Sequence, residues 1–137
     1  MNRTNAILVV LSLISIHPAS AQLVPTERSV AINIRAAATT TTQLVASSGS
    51  TQIYVTSWDV LANSAGGFTL EYGTKTTNPC DTGTTALTGT YSFAAQSSIS
   101  RSGSAQPLYI IPQGNALCVA SSGASASFAG SLSYTPD

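Results

Sequence analysis

The chain is predicted to be all-β, a two-sheet antiparallel sandwich of jelly-roll or Greek-key type closed by one disulfide. Three observations predict this. Apolar and polar residues alternate with period 2 in several stretches, the pattern of strands with one face on a core and one in water. No stretch after residue 21 places apolar residues at i, i+3, i+4 and i+7, so helix periodicity is missing. Turn residues punctuate the chain every 8–15 positions, which makes room for eight or nine short strands.

The N-terminus comes first. Met1 to Asn5 is polar and carries Arg3, Ala6 to Ile16 is an apolar run broken only by serines, and His17-Pro18 ends it. Ala19-Ser20-Ala21 then sets small residues at −3 and −1 before Gln22. This is the layout of a secretory signal peptide, so cleavage after Ala21 and export to a periplasmic or extracellular space are expected. The apolar run of 11 residues is too short for a membrane span, which takes roughly 20. Nothing later is long and apolar enough either, so no membrane insertion is expected. Residues 1–21 are thus assigned to the signal and 22–137 to a single sandwich domain. A chain of that size buries around two thirds of its unfolded surface and needs no metal to hold a core.

Val30, Ile32 and Ile34 alternate with Ala31, Asn33 and Arg35, which predicts a first strand near 29–37. Thr39 to Ala46 is a second strand, and Ser47 to Ser50 a turn. Gln52 to Leu61 is the longest strand, with Ile53 and Val55 on one parity and Trp58 and Val60 on the other. Either both faces are covered or a β-bulge near Ser57 re-aims the side chains. Asn63 to Gly67 reads as a hairpin connection into Phe68, Leu70 and Tyr72, which share one face opposite Thr69 and Glu71. Gly73 to Gly89 reads as loop, Tyr91 to Phe93 as a short strand, and Gln96 to Gln106 as an exposed Ser/Gly-rich loop. Leu108 to Ile111 and Ala116 to Ala120 are strands. In the last, Ala124, Ala126, Phe128, Gly130, Leu132 and Tyr134 face a core while Ser125, Ser127, Ala129, Ser131 and Ser133 face water.

Composition excludes several chemistries. After Ala21 the cations are Arg28, Arg35, Lys75 and Arg101, scattered among Glu27, Asp59, Glu71, Asp81 and Asp137. Nucleic acid and anionic lipid need clustered Lys and Arg, so neither is an expected partner. Serine and threonine supply 35 of the 116 residues after Ala21 and keep this charge-poor chain soluble. The single histidine, His17, leaves with the signal. That removes Ser-His-Asp and Cys-His pairs and any histidine-ligated metal.

Cys80 and Cys118 are the only cysteines. In an oxidising compartment they read as one disulfide, against two free thiols or an intermolecular bridge. Closing the loop between them contributes roughly 4 kcal/mol in the chain-entropy account.

Asp59 and Glu71 are the candidates for a glycosidase pair, since the hairpin would make their strands neighbours and paired carboxyls need no histidine. Both are expected to be solvent-facing strand residues, with no catalytic role. Asp81 with Asn78 offers too few oxygen ligands for calcium, and no metal or cofactor is expected. Trp58, Tyr54 and Tyr72 are the residues set apart for ligand or partner contact, as a sugar-stacking platform. The favoured reading is that Trp58 packs in the core or at a sheet edge and that Tyr54, Tyr72, Tyr91, Tyr109 and Tyr134 rim the sandwich.

Asn78 to Gly89 (NPCDTGTTALTG) and Gly114 to Tyr134 (GNALCVASSGASASFAGSLSY) resemble a pattern in small β-sandwich proteins of tailed bacteriophages and prophage regions. There a C-x-x-G-T-x-A-L-T-G loop precedes an N-A-L-C strand and a terminal strand ending in an aromatic. The resemblance covers about the last 60 residues. It implies a sandwich with Cys80 paired to Cys118, a virion-surface or assembly role, and no catalytic residues. The missing histidine, the low charge and the Ser/Thr-faced strands give the expected function, a secreted, non-enzymatic structural or surface-interaction module with a protein partner or self-association. A carbohydrate-binding module using Trp58 and the tyrosines is the alternative.

Overall fold

Alternation in the sequence becomes ten strands and no helix in the computed structural model, which describes residues 26–35 and 39–137. The segment read as a signal peptide lies outside the described residues. The strands are β1 (Arg28–Arg35), β2 (Thr40–Val45), β3 (Ile53–Ser64), β4 (Gly66–Thr74), β5 (Thr82–Ala86), β6 (Tyr91–Phe93), β7 (Ser98–Ser102), β8 (Tyr109–Ile111), β9 (Ala116–Ser122) and β10 (Ser127–Pro136).

All pairing is antiparallel. The first sheet runs β1-β10-β3-β7, with β8 also on β3; the second runs β2-β9-β4-β5, with β6 also on β4. This order follows from one long hairpin rolled up. Its halves pair β1 with β10, β2 with β9, β3 with β7 and β8, and β4 with β5 and β6. Rolling then brings β10 against β3 and β9 against β4. That is a jelly roll of eight strand positions, two of them split between successive short strands. The count exceeds the eight or nine expected because β5 and β7 occupy stretches read as loop. Neither strand carries hydrophobic alternation: β5 is exposed throughout, and only Ile99 of β7 is even half-buried. Pairing with β4 and β3 makes them strands, and nothing local announces it.

The bulge expected near Ser57 is present. Ser133 pairs with Ser57 and Tyr134 with Val55, leaving Thr56 as the extra residue. It returns Ile53, Val55, Trp58 and Val60 to one buried face. Asn63 to Gly67, in contrast, is not a hairpin. β3 and β4 lie in different sheets, and the chain crosses between them at Ala65. Gly66 is needed there, since a β-carbon on it would fall 2.6 Å from that of Ala126.

Side chains from both inner faces fill the interior. Ile32, Val55, Trp58, Phe128 and Leu132 of the first sheet meet Phe68, Leu70, Leu117 and Val119 of the second. Phe68 sits edge-on to Phe128 with ring centroids 5.5 Å apart, a preferred aromatic geometry. On β10, Phe128 and Leu132 are buried as expected, whereas Ala124 is exposed in the turn that precedes the strand.

Cys80 and Cys118 form the disulfide, with an S–S distance of 2.04 Å and Cα atoms 6.4 Å apart. Cys118 pairs with Glu71 and Gln43 and alternates with the core residues Leu117 and Val119, so the bridge lies on the outer face of the second sheet. With Ala116 it makes a small second core beneath the segment joining β4 to β5.

Candidate functional site

The residues set apart for ligand contact do not form one surface. Trp58 is 1% exposed and packs between the sheets on Phe68, so it is a core residue and not a sugar platform. Its bulk and its place beside the bulge put it there. Tyr72, half-buried, packs against the same core from the second sheet. Tyr54 alone faces outward, pairing with the exposed Ile110 and with Thr135. It lines a shallow groove of about 320 Å³ with Thr56, Gln106 and Pro107. Its hydroxyl donates to Gln52 Oε1 at 2.7 Å.

Asp59 and Glu71 are not neighbours, because β3 and β4 belong to different sheets. Asp59 is exposed on the outer face of the first sheet, where it accepts a hydrogen bond from the Ser131 hydroxyl. Around it, register aligns three rows across β1, β10, β3 and β7. They are Ser29–Ser133–Ser57–Ser102, Ala31–Ser131–Asp59–Ser100 and Asn33–Ala129–Leu61–Ser98. Seven of these twelve positions are serine and one is charged. Strand spacing repeats the side chains about every 4.8 Å across the sheet and, at two residues per repeat, about every 6.8 Å along it. The serines of β10 were legible as a polar face; their alignment with those of β1, β3 and β7 was not.

The second sheet carries a larger feature. A cavity of about 590 Å³ opens between β2 and the segment before β5, lined by Thr40, Thr41, Glu71, Asn78, Asp81 and Thr84 among others. Glu71 was expected to face solvent, yet it is only 9% exposed. The disulfide holds Cys80 against Cys118, the cross-strand partner of Glu71, and so draws the chain over this part of the sheet. Burial pushes the Glu71 carboxyl above its ordinary value, partly offset by the Thr41 hydroxyl, which donates to Oε1 at 3.2 Å.

Asp81 behaves in the opposite way. Its carboxylate accepts the backbone N–H groups of Asn78 and Thr77 at 2.8 Å and of Thr76 at 2.7 Å. Those bonds hold it far below the usual carboxylate range. Asp81 therefore organises its own loop and remains charged at the cavity's rim.

Among the described residues, no three His, Cys, Asp or Glu side chains are placed to hold a metal ion. Nor is any helix of the described residues long and apolar enough to cross a membrane. Comparison with known proteins finds no family model, no curated relative and no solved structure that matches this chain.

Proposed function

We propose that the protein is a secreted, non-enzymatic structural module, a subunit that associates with further copies of itself through the outer face of the first sheet. The registered serine rows are the observation that carries this reading. Serine and alanine lose little side-chain entropy when immobilised, so covering this face costs less than covering a lysine- or glutamate-rich one. Within the three rows the one charge, Asp59, already has a partner in Ser131, and Arg35 follows at the end of the same face beside Ser127. Leu61, 39% exposed, and Ile110, 52% exposed, add apolar area at the same face. The signal-like N-terminus and the buried disulfide support export, and the resemblance to phage β-sandwich proteins supports an assembly role.

Size-exclusion chromatography with light scattering on the exported protein tests this. The wild type is expected at a multiple of the chain mass, and Leu61→Arg at the monomer mass with an unchanged fold. A wild type that stays monomeric at every concentration overturns the proposal. Polysaccharide binding by that monomer, abolished in Tyr54→Ala, would instead establish the carbohydrate reading.

A further inference from the structure

The cavity on the second sheet is on the opposite side of the sandwich from the serine rows and stands independently of the proposed assembly. Its lining is one-sided in chemistry. Glu71 and Asp81 bring two carboxyls, Thr40, Thr41 and Thr84 bring hydroxyls, and Asn78 brings an amide. No Lys, Arg or His is among the lining residues, so the carboxyls have no cationic counterpart there. Glu71 is nine-tenths buried, and among the described residues only its Oε1 receives a hydrogen bond. Oε2 meets no hydrogen-bond donor among the described residues and opens to solvent in the cavity that Glu71 lines. A largely desolvated carboxylate with one oxygen open to the cavity is stabilised most by a cation that also donates hydrogen bonds.

We infer that this cavity is a binding site for a protonated primary amine, with Glu71 as the counter-ion and the threonine hydroxyls as further acceptors. The other ligand classes fit less well. A calcium ion takes six to eight oxygen ligands, but the Asp81 oxygens are occupied by its own loop. A quaternary ammonium calls for an aromatic cage, and no aromatic residue lines the cavity. An anion meets two carboxyls and no cation. A primary ammonium brings three donors on one charge, matching the hydroxyl and carboxylate acceptors present. The cavity of about 590 Å³ admits more than a bare ammonium ion. Small-ligand sites span roughly 300–1,000 Å³. Two carriers share the required chemistry, a lysine side chain and an amino sugar.

Titration of the exported protein by amide NMR tests the inference, with Nα-acetyl-lysine amide and glucosamine as probes and glucose and calcium chloride as controls. Either amine should give saturable shifts at Thr41, Glu71 and Asn78, and the one that binds more tightly identifies the carrier. Glu71→Gln, which preserves shape, should weaken binding roughly tenfold or more. Ser50→Ala, in the exposed loop between β2 and β3, should leave binding unchanged and serves as the folded control. The inference is overturned by absence of saturable shifts from both amines, by equal shifts from glucose or calcium, or by unchanged binding in folded Glu71→Gln.

Discussion

Trp58 of β3 stacks on Phe68 of β4 across the interior, with ring centroids 5.8 Å apart and planes 26° from parallel. Each ring comes from a different sheet, so the contact helps hold the two layers together. Trp58→Ala should cost about 3–5 kcal/mol, read as a fall in the urea midpoint at constant slope. Trp58→Phe should cost far less. It keeps an aromatic ring in place and removes a buried indole N–H that meets no hydrogen-bond partner of good geometry among the described residues. Equal losses from both substitutions would mean that the ring does not carry the contact.

Cys118→Ala should lower stability by something like 2–5 kcal/mol, because the reduced chain regains loop entropy and the small second core loses its bridge. Non-reducing mass spectrometry should show Cys80 joined to Cys118. Alkylation of either thiol in the folded, oxidised protein would contradict the pairing.

Glu71 and Asp81 should give stability profiles of opposite sign. The Glu71 carboxyl is raised above its ordinary 4.5, so its contribution is fully present below that value and is lost as pH rises through the folded one. Glu71→Gln should therefore stabilise the protein near neutral pH and flatten this decline. The Asp81 carboxyl is lowered from its ordinary 3.8, so its contribution is present above that value and lost as pH falls toward the folded one. Asp81→Asn should destabilise at neutral pH and matter progressively less in acid. Urea midpoints measured from about pH 3 to pH 8 check both signs.

On β10, Phe128→Ala should cost about 3–5 kcal/mol, and Ser131→Ala no more than about 1 kcal/mol, the worth of its hydrogen bond to Asp59. Gly130→Ala should be harmful despite its small size. A β-carbon there would overlap the Asp59 carbonyl oxygen and lie 3.1 Å from Val60 Cα, forcing β10 away from β3. Such overpacking typically costs about 1–3 kcal/mol. Thermal midpoints should rank Phe128→Ala and Gly130→Ala well below Ser131→Ala.

Which side chains face inward was legible in the sequence wherever a strand has one dry face. Ile32, Ile34, Phe68, Leu70, Phe128 and Leu132 alternate with polar neighbours, and all six are buried. The bulge beside Ser57 was legible too, because the buried parity switches between Val55 and Trp58 within one strand. The disulfide was legible because two cysteines allow one intramolecular pairing. What tertiary structure alone decided is which strands meet. Asn63 to Gly67 carries glycines that let the chain turn, and the same glycines serve a tight hairpin or a crossing between sheets. β5 and β7 carry no dry face, so only their partners β4 and β3 make them strands. The serine rows need four strands in register, and the Glu71 cavity needs a disulfide reaching across 38 residues to cover a polar strand face. Alternation is a local property of one strand against water. Register and coverage depend on contacts between distant segments, and no single stretch of sequence contains them.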